Sequence, residues 1–390
     1  VVVRFSFIVT SWNIEDYIAP CLDSLAPCLE PGDELIVVDD GSDDRSCEEI
    51  TACLRQLEGR GVSLCPVFLG TNTQGGVGIA GNVGLNEATG EAVFFVDGDD
   101  WVDAAGFGAA RRRFERQPCD ILIANYRVYD AVQDRFLKPP DHTLWSGARA
   151  RMTLQERRHL ALQMVGVPWR KIYRRGFLEQ QKIRFPEGDF FYEDNPFHWQ
   201  TCLKAAEIAF LDVSLCSHRI GRPGQTMAAT GAELAVFFDH YERIVAQLPD
   251  PQYRPDALRW LLENMAWHME RLSAESQWTY AMRAEDTLKS IAEADWQALR
   301  HDAVAQRALG IARALAQGQL AEVIAIWQHQ RVQRQLQGFE ERLAQIELAQ
   351  DQGRGQLDQL VRWSEGQRAL QEFQALQTLA SQGEGKSFTS

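Results

Sequence analysis

The chain has 390 residues, 45% of them apolar and 24% charged, and 40 Lys+Arg stand against 54 Asp+Glu for a net charge of −14. That is the composition of a globular protein of about two to three domains. The acidity argues against duplex nucleic acid, whose phosphates need a basic face, and against attachment to anionic lipid by bulk charge.

Residues 5–9 form a short apolar run that stops at Thr10, Ser11, Trp12 and Asn13. An amphipathic stretch over 14–29 leads to a second apolar run at 34–38, which ends abruptly at Asp39, Asp40, Gly41 and Ser42. Helical spacing over 47–57, a third strand over 62–69, a third helix over 78–88 and a fourth strand over 92–96 follow. The last of these runs into Asp97, Gly98, Asp99 and Asp100. Continuously apolar strands separated by helices predict a parallel sheet covered on both faces. Ligands in such sheets bind at the carboxyl ends of the strands.

Residues 110–245 read as mixed α+β, with a further strand over 121–124. From about 250 onward the pattern is helical. Val332, Leu336, Phe339, Leu343 and Ile346 step by 4, 3, 4 and 3, a heptad seam that Gly353 and Gly355 interrupt before a second helix. An antiparallel hairpin and an intermolecular coiled coil both fit this short seam. Residues 381–390 read as a disordered tail.

No run approaches the roughly 18 apolar residues of a membrane span, and no signal-peptide pattern opens the chain. The chain begins at Val1 inside an apolar run, as a trimmed or partial sequence would. Eight scattered cysteines without a C-x-x-C pair predict reduced, mostly buried thiols and a cytoplasmic setting.

Three acidic clusters carry the chemistry. Asp39 and Asp40 fit a strand-ending turn, but a carboxylate fixed there can also accept from a base or a ribose hydroxyl. Asp97, Asp99 and Asp100 repel one another unless a cation neutralises them. Oxygen ligands with an open sphere suit Mg²⁺ or Mn²⁺ bridging to substrate phosphates. Glu193 and Asp194, in aromatic surroundings, fit either a base of raised pKa or acids at a helix N-terminus. A G-K-[ST] loop is absent, and the glycines at 75, 76 and 78 do not satisfy G-x-G-x-x-G after a strand.

Together, residues 5–13, 37–42, 72–82, 88–100, 168–173, 185–188, 192–194 and 218–224 resemble the family 2 glycosyltransferases of the GT-A fold. The resemblance covers roughly residues 1–230, and nothing in the helical third takes part. It implies an α/β nucleotide-diphospho-sugar transferase fold, with a mostly parallel central sheet and helices on both faces. An all-α extension with a short coiled-coil-like hairpin follows that fold. The domain boundaries expected are 1–110 for nucleotide-sugar binding, 111–245 for acceptor binding, 246–327 for a helical extension and 328–380 for the coiled-coil-like segment.

The same resemblance implies roles. Thr10 and Asp40 stand where the family holds the nucleobase, with Glu15 a weaker neighbour, and Asp97 where a carboxylate meets the ribose. Asp99 stands at the metal on the diphosphate, with His218 completing the sphere, and Asp194 at the general base. Arg219 and Arg222 stand where a loop closes over the diphosphate, and Trp169 and Glu193 are acceptor-side candidates. Gly81 replaces the arginine that the family often carries, which removes one cationic contact.

The activity implied is inverting, Mn²⁺- or Mg²⁺-dependent transfer of a sugar from a nucleotide-diphosphate donor, a UDP-sugar, to an acceptor hydroxyl in glycan or polysaccharide synthesis. Glycan, lipid-linked and peptide acceptors all fit. Peripheral association with the inner face of a membrane and a homo-oligomer through the C-terminal helices stay open. So do two other readings: nucleotidyl transfer on a similar sheet, and an oligomeric scaffold with a non-catalytic transferase-like half.

Overall fold

The computed structural model describes residues 3–148, 151–222, 224–225 and 229–383. Two units divide the chain, residues 1–324 and 325–390.

The first unit is built on strands β1 (Phe5–Ser11), β2 (Glu34–Asp39), β3 (Ser63–Phe68), β4 (Ala92–Asp97), β5 (Trp101–Val102), β6 (Ile121–Asp130), β7 (Arg135–Leu137), β8 (Lys171–Arg174) and β9 (Ile208–Ile220). Among the described residues they make one sheet in the order β3-β2-β1-β4-β8-β6-β9-β5, with β7 beside β6. The first four are parallel, as the buried, mainly apolar runs of β1, β2 and β4 predict. Every residue of β1 and β2 is buried. β3 is the edge, and it carries Pro66, which cannot donate to a ladder.

The second half is mixed. β8 enters antiparallel to both β4 and β6, while β6 and β9 run parallel with two register shifts.

Helices α1 (Ile18–Leu25), α2 (Ser46–Leu57), α3 (Gly78–Glu87) and α4 (Ala104–Arg116) connect the first strands. Phe107 of α4 inserts its ring among Phe5, Phe7 and Phe94 at 5.0–5.7 Å. Each such fully buried ring contributes about 1.5–3 kcal/mol. Across β1, Thr10 pairs with Asp97, and Ser11 pairs with Asp39. Parallel pairing thus sets the three polar strand ends side by side.

Helices α5 (Leu154–Gln163), α6 (Arg175–Gln180) and α7 (Asp194–Lys204) follow in the second half. The later helices are α8 (Val236–Ala246), α9 (Arg254–Arg271), α10 (Gln277–Leu288), α11 (Glu293–Ala298) and α12 (Gln306–Ala316). α8 packs on both α7 and α9, which joins the helical region to the sheet-bearing part of the same unit.

The second unit is the rest of α13, which runs without a break over Leu320–Gly383. The expected hairpin is therefore absent. Gly353 and Gly355 each cost about 1 kcal/mol of helix propensity but still donate their N–H groups, so strong helix formers around them carry the helix through. The seam residues Val332, Leu336, Phe339, Leu343 and Ile346 are all at least half exposed. Of the expected tail, residues 381–383 are helical and 384–390 lie outside the described residues. No described helix is long and apolar enough to cross a membrane.

Candidate functional site

A cavity of about 420 Å³ opens at the carboxyl ends of β1, β2 and β4. Thr10, Asp40, Asp97, Asp99, His218 and Arg222 all line it, so six of the sequence candidates meet in one place.

Asp40 sits just past β2 and accepts from Asn72 Nδ2 at 3.2 Å, Thr73 N at 3.0 Å and Thr73 Oγ1 at 2.8 Å. Burial raises its carboxyl despite the two Thr73 bonds that oppose it. Its neighbour Asp39 turns inward and serves the turn, accepting from Ser11 Oγ, Ser42 Oγ and Ser42 N.

Two of the three carboxylates after β4, Asp99 and Asp100, are paired with the protein's own cations. Asp99 Oδ2 takes Arg222 Nε at 2.5 Å and Gln225 Nε2 at 3.3 Å. Asp100 takes His218 Nδ1 at 2.9 Å and Arg219 N at 2.7 Å. Burial pushes the Asp97 carboxyl well above the usual carboxylate range, and the charges of Asp100 and Asp99 push it further. Burial disfavours the His218 imidazolium, but Asp100 and then Asp97 and Asp99 outweigh it, raising the group to about 9. The sequence placed Asp100 in the cluster without a role; it is the carboxylate that orients His218.

Asp194 begins α7, where its charge faces the helix dipole, so the helix-terminus reading and the base reading describe the same residue. Burial raises its carboxyl, and Lys171 opposes that shift. Lys171 is itself fully buried, donates Nζ to Val167 O at 2.6 Å, and is lowered to about 7 by burial. Asp194 is not among the described residues lining the cavity, whereas Phe191 and Asp189 of the same segment are.

Four candidates stand elsewhere. The Arg219 guanidinium packs on Trp101, Tyr17 and Tyr129 at 4.8–5.6 Å and donates to Asp99 O at 3.0 Å, rather than lining the cavity. Trp169 is a core residue, 3% exposed, stacked on His218 at 4.9 Å. Glu193 does not line the cavity among the described residues and accepts Gly78 N at 2.6 Å. A Cβ at Gly78 would stand 2.6 Å from Glu193 Cγ, which explains the glycine there. Glu15 pairs with Arg45 on the surface. In each case the direction of the side chain is set by a partner distant in sequence, which no local spacing reports.

At Gly81 an added Cβ would meet the Phe185 ring at 3.0 Å, so a side chain there requires that ring to shift. Six of the eight cysteines are buried, and all eight are free thiols.

Among the described residues no group of three metal-ligating side chains is assembled. What the cavity offers is a pair, a carboxylate at Asp99 and an imidazole at His218 whose Nδ1 is held by Asp100. A histidine backed by a carboxylate is a common metal-ligand arrangement. Asp99 already carries one cation, the Arg222 guanidinium. A divalent ion bound at this pair would have to displace Arg222 from Asp99 and complete its sphere on a substrate.

Residues 6–181, somewhat less than half of the chain, match the family model for glycosyl transferase family 2. The uncharacterized glycosyltransferase EpsJ of Bacillus subtilis is 29% identical over 214 residues, 55% of this chain and 60% of its own. The poly(ribitol-phosphate) beta-N-acetylglucosaminyltransferase TarS of Staphylococcus aureus is 28% identical over 63% of this chain and 40% of its own. The match thus spans less than two thirds of either relative. The crystal structure of S. aureus TarS 1-349 in complex with UDP-GlcNAc shares the fold, with TM-score 0.60 and 22% identity over 81% of this chain and 92% of that one. So does a mannosyltransferase from Pyrobaculum calidifontis in complex with GDP-Man and Mn²⁺, with TM-score 0.51 and 16% identity over 83% and 86%.

Proposed function

We propose that this chain transfers a sugar from a nucleotide-diphosphate donor, a UDP-sugar, to a hydroxyl of a growing polysaccharide, with inversion at the anomeric carbon. The observation that carries the reading is the meeting of Thr10, Asp40, Asp97, Asp99, His218 and Arg222 on one cavity at the strand ends. TarS, named for a polymer acceptor and crystallised with UDP-GlcNAc, supports the donor and acceptor classes.

In this reading Thr10 and Asp40 take the base and Asp97 the ribose. Asp99 and His218 would hold a divalent ion, which would supply positive charge against the diphosphate; the Mn²⁺ complex of the mannosyltransferase supports this. Arg222 turns from Asp99 to the leaving diphosphate and contributes charge-assisted bonds there. Asp194 takes the proton of the acceptor hydroxyl. The acceptor oxygen bonds to the anomeric carbon from the face opposite the nucleotide, and the diphosphate leaves with the electron pair of the broken C–O bond. Phe191 and Trp12, both lining the cavity, limit water at the reacting centre.

Unpaired thiols suit a reducing, cytoplasmic compartment. The exposed seam of α13 suits pairing with a second copy of the chain.

The test is release of nucleotide diphosphate from a panel of UDP- and GDP-sugars, with Mn²⁺, with Mg²⁺ and in chelator. Metal-dependent release from one UDP-sugar is expected. If no donor of the panel binds or reacts, the proposal fails.

A further inference from the structure

The helical region after residue 230 lies outside the family match, yet it reaches the proposed base through a chain of hydrogen bonds. Asp194 Oδ1 accepts from Asn195 Nδ2 at 3.0 Å, and the same nitrogen donates to Tyr192 O at 3.1 Å. The other end of that amide, Asn195 Oδ1, accepts from Trp260 Nε1 on α9 at 3.2 Å. An indole N–H only donates. The indole and the Tyr192 carbonyl together fix the amide, oxygen toward the indole and NH₂ toward the carbonyl and the carboxylate.

The surroundings hold this arrangement. The Trp260 ring stacks on Phe237 of α8 at 5.6 Å. Gly166 walls the amide on another side, since a Cβ there would stand 3.1 Å from Asn195 Oδ1. His240 of α8 bonds Phe191 O at 2.8 Å. Tyr192, with φ of 48–65° shared by the few left-handed non-glycine residues and itself at 65°, packs on Phe237 at 4.8 Å. The turn that presents Asp194 is thus gripped by the helical extension.

We propose that Trp260 and Asn195 are positioning residues for Asp194, the indole orienting the amide and the amide orienting the carboxylate. The inference rests on the reading of Asp194 as general base.

An N–H donated to a carboxylate favours its charged form. The other groups that bear on Asp194 are Lys171 from β8, which favours the charge, and burial, which opposes it. Glu193, Asp97, Tyr173 and Tyr192 also interact with its charge. Without the indole the amide loses one of the two bonds that orient it, and only Tyr192 O still holds its NH₂ on the side of Asp194.

The experiment is the pH profile of kcat in the full-length protein for Trp260→Phe, Asn195→Ala and the double variant. Loss of the relay should lower kcat by about tenfold and move the acidic limb up by about one pH unit, a tenfold change in the protonation equilibrium, with KM for the donor little changed. The double variant should be no worse than Asn195→Ala alone, because the two residues act in series. If Trp260→Phe does not fold, Gly166→Ala crowds the same amide from the other side and should move the limb in the same direction. A limb that stays in place, or single effects that multiply in the double variant, overturns the relay. Retained transfer by Asp194→Asn overturns the base reading itself, so the two failures are distinguishable.

Discussion

Glu193 accepts the backbone N–H of Gly78 at 2.6 Å, across 115 residues of sequence. The bond ties the segment before α7 to the first turn of α3. Burial, and then the charge of Asp194, raise the Glu193 carboxyl to about 7. A carboxyl raised in the folded state stabilises the fold fully below its ordinary value near 4.5, and that contribution is lost as pH rises through about 7. Glu193→Gln keeps an acceptor for Gly78 and removes the titration. Urea unfolding between pH 5 and pH 8 should show a pH dependence smaller by about 1–3 kcal/mol in this variant.

Asp194→Asn preserves shape and hydrogen-bonding capacity but cannot take a proton. Transfer should fall by about 10²–10⁴-fold, while calorimetric binding of nucleotide diphosphate is retained. Undiminished transfer would remove Asp194 from the mechanism.

Asp100 orients His218 without lining the cavity itself. Loss of such an outer partner usually weakens a metal site by about 10–100-fold. Asp100→Ala should therefore raise the Mn²⁺ concentration needed for half-maximal nucleotide binding by that factor. An unchanged Mn²⁺ dependence would put the ion elsewhere.

Arg170 is fully buried, pairs with Asp141, and donates Nε to Ala124 O at 2.9 Å. Removing one partner strands a charge in the core. Asp141→Ala should cost about 3–5 kcal/mol, visible as a lower urea midpoint. Conservative surface changes on α13 should leave that midpoint in place.

The seam from Val332 to Ile346 leaves five large apolar residues half exposed or more on one helix face. Light scattering should give a mass of at least twice 44.1 kDa for the full chain, and a single-chain mass after removal of residues 328–390. Leu336→Asp with Leu343→Asp should have the same effect as the truncation. A monomeric full-length chain would leave the seam without a second copy.

How much of this was legible in the sequence depends on how local the signal is. The apolar runs within β1, β2 and β4 stop at Thr10, Asp39 and Asp97, and the cavity residues at 10, 40, 97 and 99 lie where those runs stop. β8 is four residues long and begins with a buried lysine, a residue type that normally marks a surface, so it hides from pattern reading. Its antiparallel entry makes the second half of the sheet mixed. Trp169 and Glu193 carry suggestive chemistry, but their direction is decided by His218 and Gly78, partners that lie far away in sequence. Trp260 and Asn195 are 65 residues apart and share no motif; only folding brings the indole to the amide.

The Asp99–Arg222 pair has a kinetic consequence. An empty pocket of bare aspartates would project a negative field and repel a nucleotide diphosphate during its approach. With Arg222 serving as an internal counter-ion, much of that field is cancelled before any ligand arrives. Filling the pocket is then closer to an ion exchange than to an addition of charge, and long-range steering has little to act on. The association rate of a metal–nucleotide complex is expected to vary little with ionic strength, a dependence that stopped-flow fluorescence from Trp12 at the cavity would measure. In Arg222→Ala the uncovered carboxylate should make the same rate rise with added salt for a free nucleotide diphosphate.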